Sequence, residues 1–97
     1  MNQNLPSSLQ LKIVTPKKIL VETDALEVTL PGLDGYLGIL PGHRPLLTAV
    51  GKGTITYRKT AKEEHFSIRG GYAEICPDKV YVFTELSEDE THKPTEE

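Results

Sequence analysis

Leu26-Glu-Val-Thr-Leu-Pro-Gly-Leu-Asp-Gly-Tyr-Leu-Gly-Ile-Leu-Pro-Gly42 reads as a strand, a turn and a returning strand. Leu26, Val28 and Leu30 alternate with Ala25, Glu27 and Thr29. That two-residue period marks a half-buried strand. Pro31-Gly32 ends it with a turn dipeptide. Asp34-Gly35 is a hairpin signal, and Tyr36, Leu37, Ile39 and Leu40 follow it. Pro41-Gly42 makes a second break.

The same grammar extends in both directions. Upstream, Leu9, Leu11 and Ile13 alternate with Ser8, Gln10 and Lys12. Thr15-Pro16 breaks that run, because the residue before a proline favours extended geometry. Ile19 and Val21 begin another short strand. Downstream, Pro45 to Val50 is apolar, and Gly51 and Gly53 flank Lys52. Ile55 and Tyr57 alternate with Thr54, Thr56 and Arg58. Thr60 to Glu64 is polar and reads as a hairpin connection. Phe66 and Ile68 face one way, His65, Ser67 and Arg69 the other.

Gly70-Gly71 marks a bulge or a close approach of backbones. Tyr72 to Cys76 and Val80 to Thr84 are two more strands around a tight turn at Pro77-Asp78. Val80 and Val82 share one face of the last strand, Tyr81 and Phe83 the other, which suggests cover on both sides. No window shows the helical spacing of apolar residues. Many short strands with regular turn signals predict an all-β fold, a flattened sandwich of two antiparallel sheets.

The chain has 97 residues and a mass of 10.8 kDa, enough for one small domain. Area scaling lets about 65% of its surface be buried, which supports one modest core and leaves little room for a deep cleft. No apolar run approaches the ~20 residues of a membrane helix. A single cysteine, Cys76, excludes an internal disulfide. The first residues lack the pattern of a signal peptide.

Charge is uneven along the chain. Glu85 to Glu97 holds six acids and one base, whereas the rest holds eight acids and ten bases. The body is therefore nearly neutral, unlike a nucleic-acid binder. The acidic end has one large apolar residue, Leu86, too few to order itself. The expected organisation is a flexible N-terminus over 1–8, a sandwich over 9–86 and an acidic disordered tail over 87–97.

Candidate catalytic groups are few. His43 sits in a turn between Gly42 and Arg44-Pro45 and reads as a hydrogen-bonded turn or interface residue. His65 lies on a polar strand face, and His92 lies in the tail. No two histidines have metal-ligand spacing, and Cys76 has no cysteine partner for a zinc site. Cys76 reads as a small, partly buried apolar residue. Pairing it with His43 or His65 as nucleophile and base has no support from spacing. Glu63-Glu64 reads as solvated. The glycines Gly32, Gly35 and Gly38 precede neither a Lys-Ser/Thr pair nor a helix, so they read as turn formers, not a phosphate cradle.

The unusual feature is the block from Leu30 to Val50, where prolines and glycines separate nearly continuous aliphatics. Tight turns of this kind make rigid loops with exposed apolar edges, and such edges serve as protein interfaces. A tightly folded corner of the sandwich is the other reading.

Val28 to Thr48 resembles the signature of the epsilon subunit of F-type ATP synthases, above all Gly35-Tyr-Leu-Gly-Ile-Leu-Pro-Gly-His-Arg-Pro-Leu-Leu-Thr48. Leu11-Lys-Ile-Val-Thr-Pro16 resembles the family's opening strand. Arg69-Gly-Gly-Tyr-Ala-Glu-Ile75 and Lys79-Val-Tyr-Val82 resemble later ones. The resemblance covers residues 9–85 in the family's order. It implies a sandwich of two antiparallel sheets and no cofactor. It also implies a noncatalytic rotor subunit in the central stalk of a proton-translocating enzyme. The implied partners are the gamma subunit and the ring of membrane c subunits.

By the same resemblance Leu33, Asp34, Gly35 and Tyr36 approach the polar loops of the c ring. Tyr36 stands where relatives often carry an acid, and supplies rigid apolar area and a hydroxyl. His43, Pro45, Leu46, Leu47 and Thr48 match positions near gamma, with His43 a packing residue. The implied place is the cytoplasmic face of the bacterial plasma membrane, held through the complex. Many family members continue into two C-terminal helices that inhibit ATP hydrolysis. Here Glu85 leads into the acidic segment, so a short, non-inhibiting form is expected. Two other classes stay open on the residues alone. One is a free-standing adaptor binding a protein through Leu30 to Val50, and the other a small hydrolase using His43 or Cys76.

Overall fold

A computed structural model describes residues 6–85, and every regular element among them is a strand. The segment 87–97 and His92 lie outside the described residues. In β1 (Leu9–Val14) alternation becomes burial: Leu9, Leu11 and Ile13 are fully buried. Thr15 closes the turn that follows, its hydroxyl oxygen accepting from the amides of Lys17 and Lys18 at 3.2 and 3.1 Å. The chain then forms β2 (Ile19–Ala25), β3 (Glu27–Gly32), β4 (Gly35–Ile39), β5 (Leu46–Val50) and β6 (Gly53–Arg58). It ends in β7 (Glu63–Ile68), β8 (Gly71–Cys76) and β9 (Lys79–Thr84).

Hydrogen bonding joins these strands into one curled nine-stranded ladder, which bends into two sheets. One runs β2-β1-β9-β8-β5, the other β4-β3-β6-β7. They meet at one register pair, Gly32 with Val50, so the ladder continues around a corner. Gly51-Lys52 carries the chain from β5 in one sheet to β6 in the other. Neighbours are antiparallel except β1 and β9, which run parallel. Parallel neighbours need a long crossover, and here the body of the domain between the first and last strands supplies it.

Every strand sends side chains into one core. Leu9, Leu11, Ile13, Ala73, Ile75, Val80 and Val82 of the first sheet join Val28, Leu30, Ile39 and Ile55 of the second. Full burial of such a side chain contributes roughly 1.5–3 kcal/mol. The expected all-β sandwich is therefore the observed one.

Several local expectations change. Leu26 is not in β3 but at a bend, and Ala25, read as facing away from the core, is buried opposite Leu9. The bend is where the chain leaves one sheet for the other, so alternation cannot run through it. Pro31-Gly32 does not end β3; the turn is Leu33-Asp34, closed by the pair Gly32 and Gly35. Pro31 fits there because the flanking partner of β3 changes from β6 to β5, and its carbonyl accepts from the Gly51 amide at 2.8 Å. Glu63 and Glu64 are not in a connection: they pair with Arg58 and Tyr57 in β7. The turn closes earlier, through the Lys59 amide and the Lys62 carbonyl.

Candidate functional site

The residues that could do chemistry are dispersed or committed. The His43 ring Nδ1 lies 2.7 Å from the Arg44 carbonyl oxygen. A carbonyl only accepts, so Nδ1 carries the proton and donates it. His43 is thus a half-buried turn residue, and the amide before it, at Gly42, donates to the Pro77 carbonyl at 2.8 Å. His65 is exposed on β7, with Thr56 Oγ1 at 3.1 Å and Glu63 at 3.9 Å. Cys76 is half-buried at the end of β8. Among the described residues no group of three His, Cys, Asp or Glu side chains could hold a metal. Tyr57 has a displaced titration: burial first, then the Glu64 carboxylate across the strand pair, raise it above its usual value of 10.0.

What the structure gathers instead is exposed apolar surface. Of the expected contact residues, Leu33 is 70% exposed, Tyr36 61%, Leu46 41% and Leu47 71%. Asp34, Gly35 and Pro45 are also exposed, while His43 and Thr48 are half-buried. They fall into two places. Leu33 to Tyr36 form the β3–β4 turn, where Gly35 adopts a φ of 133°. Pro45 to Thr48 enter β5 at the edge of the other sheet, beside β8.

The turn is not a free tip. The Tyr36 hydroxyl oxygen accepts from the Thr54 amide at 3.4 Å. A Cβ at Gly53 would stand 2.7 Å from that hydroxyl and 2.8 Å from Pro31 Cβ. Glycine is therefore required at Gly53 by close approach.

A further surface escaped the sequence reading. The outer row of the first sheet pairs Val14 with Phe83 and Phe83 with Tyr72, and Tyr72 with Ala49. Phe83 is 43% and Tyr72 60% exposed. The expectation that β9 is covered on both faces is thus corrected: Phe83, on its outer face, is left partly open to solvent. With Val14, Pro16 and Arg69 these rings line a shallow groove. The next row is polar: Lys12 and Lys79 lie 5.2 and 5.1 Å from the centre of the Tyr81 ring. The aromatic residues were visible in the sequence, but alternation cannot say whether a second face is covered.

Fold and surface together define a β-sandwich domain whose exposed apolar groups include those of one hairpin, one edge strand and one sheet face. The chain belongs to the family of the ATP synthase delta/epsilon chain beta-sandwich domain, which it matches over residues 8–89. It is 42% identical over 84 residues to the ATP synthase epsilon chain of Solibacter usitatus, covering 87% of this chain and 63% of that one. To the ATP synthase epsilon chain of Moorella thermoacetica it is 39% identical over 83 residues, covering 84% and 62%. The chain thus spans about three fifths of the length of these curated relatives.

Two solved assemblies contain a similar fold. A chain of the Euglena gracilis mitochondrial ATP synthase, OSCP/F1/c-ring, superposes with a TM-score of 0.78 at 20% identity, over 87% of this chain and 54% of that one. A chain of the Tetrahymena thermophila mitochondrial ATP synthase central stalk and c ring gives 0.67 at 16% identity, over 97% and 77%.

Proposed function

We propose that the chain is a noncatalytic rotor subunit of a proton-translocating F-type ATP synthase, standing between the gamma subunit and the c ring. It passes torque and takes no part in bond making. On this reading Leu33, Asp34, Gly35 and Tyr36 face the ring. His43, Pro45, Leu46, Leu47 and Thr48 face gamma, and the open aromatic row of Tyr72 and Phe83 continues that surface. The protein is held at the cytoplasmic face of the plasma membrane through these partners.

The observation that carries the reading is the concentration of exposed apolar side chains in the segment Leu33 to Leu47, within a domain of the epsilon family. A monomer gains nothing by exposing Leu33, Tyr36 and Leu47; an interface does. His43 supports a packing role, since its Nδ1 proton is engaged by a backbone carbonyl.

Coexpression with an ATP synthase gamma subunit tests the proposal. The chain is expected to co-purify with gamma. Leu47→Asp should lower recovery by about tenfold or more, the loss expected of an interface anchor, with an unchanged strand spectrum by circular dichroism. Undiminished recovery would move the gamma surface off β5.

A further inference from the structure

The β3–β4 turn and the corner between β5 and β6 behave as one surface. Gly51 and Gly53 flank Lys52 and form a floor beneath the hairpin's side chains. A Cβ at Gly53 would stand 2.7 Å from the Tyr36 hydroxyl, and one at Gly51 would stand 3.4 Å from a Leu33 methyl. Two backbone amides tie the corner down: Gly51 to the Pro31 carbonyl at 2.8 Å, and Thr54 to the Tyr36 hydroxyl at 3.4 Å. Lys52 and Asp34 are both exposed, and neither has an ion pair among the described residues.

We propose that the ring-facing surface is a composite of these two turns, with Lys52 as a contact residue and Tyr36 as the positioning residue that holds them in register. This rests on the reading that Leu33 to Tyr36 face the c ring. Lys52 brings an ammonium with three donors, and Asp34 a carboxylate that only accepts. A polar loop carrying both carbonyl acceptors and donors suits that pair. The joint also removes hinge freedom: a two-residue hairpin tip would swing, whereas one leaning on Gly53 transmits force.

The test uses the assembled ATP synthase carrying Cys76→Ala. Benzophenone maleimide is attached to Asp34→Cys or, separately, to Lys52→Cys, photolysed, and the products identified by mass spectrometry. Both positions are expected to label the c subunit, with yields within about threefold, as for two points on one rigid contact. Labelling from position 34 with less than about a tenth of it from position 52 overturns the composite surface and leaves the ring-facing reading intact. No labelling from either position in an intact complex overturns both.

Tyr36→Phe tests the positioning role. Amide exchange at Thr54 should rise about fivefold, the worth of one net hydrogen bond, while Ile55 stays unchanged. Labelling from position 52 should fall in the same variant. Unchanged Thr54 exchange removes Tyr36 from that role.

Discussion

At the scale of the residue, two positions show how backbone and burial act through single groups. Gly71 has a φ of 142°, and a Cβ there would run into the Phe83 carbonyl of the paired strand. Gly38 has open space around it and no left-handed φ. Gly71→Ala should therefore cost about 3 kcal/mol or more, from strain plus a backbone clash. Gly38→Ala should fall within about 0.5 kcal/mol of wild type. Urea unfolding measures both, and equal effects would contradict the close approach.

Tyr57 carries a pH signature. Its folded phenol is held protonated by burial and by Glu64, so its titration lies above the usual 10.0. A raised folded value means the native state binds the proton more tightly. That stability is complete below the unfolded value and is lost as pH rises from about 10 through the folded value. Tyr57→Phe should flatten the alkaline decline in stability. A decline of unchanged steepness between pH 9 and 11 would show that other groups cause it.

At the scale of the element, turns do more than reverse the chain. Thr15 closes the β1–β2 connection with its side chain, accepting two amides that the following Pro16-Lys17-Lys18 turn leaves unpaired. Thr15→Val keeps the shape and removes the acceptor. It should lower stability by about 1 kcal/mol, measured by thermal unfolding, and an unchanged midpoint would mean that water replaces the hydroxyl at no cost. The edge strands are guarded in another way. β2 carries Glu22 and Asp24, and β7 carries Glu63 and Glu64, charges that discourage pairing with other chains. Lys12 answers Glu22 across the β1–β2 pair at 3.7 Å, an exposed contact worth little on its own.

At the scale of the whole molecule, the chain separates a closed interior from an open exterior more sharply than its composition suggests. Leu11 is fully buried and Leu47 is 71% exposed, although both are strand leucines. Leu11→Ala should cost 2–5 kcal/mol, roughly the transfer and cavity terms of a core leucine. Leu47→Ala should cost less than about 0.5 kcal/mol in the isolated chain. A large loss from Leu47→Ala would mean that β5 serves the core more than a partner. The chain crosses between the two sheets at Leu26, between β4 and β5, at the Gly51-Lys52 corner and between β7 and β8. One register pair, Gly32 with Val50, joins their ladders beside that corner. The corner and the β3–β4 hairpin therefore sit together, which is why the candidate surface spans both sheets.

The sequence by itself determined the strands, most of their turns and the residues of the core. Leu9, Leu11 and Ile13 announce their face by alternation, and Pro77-Asp78 announces its turn, because both signals lie within a few neighbouring residues. The block from Leu30 to Val50 stood out too, since turn dipeptides interrupt its aliphatics. Whether it was an exposed edge or a folded corner did not: Leu33 and Leu47 are exposed, while Leu30, Ile39 and Val50 are buried. The signal failed where the chain passes from one sheet to the other, at Ala25 and Leu26, and where β3 changes its flanking partner, at Pro31-Gly32. Only the tertiary structure decided that β1 lies parallel to β9, that Phe83 and Tyr72 face outward and stay partly exposed, and that Tyr36 rests on Gly53. Each of those depends on partners far away in the chain, and alternation along a strand records which residues share a face, not what lies against it.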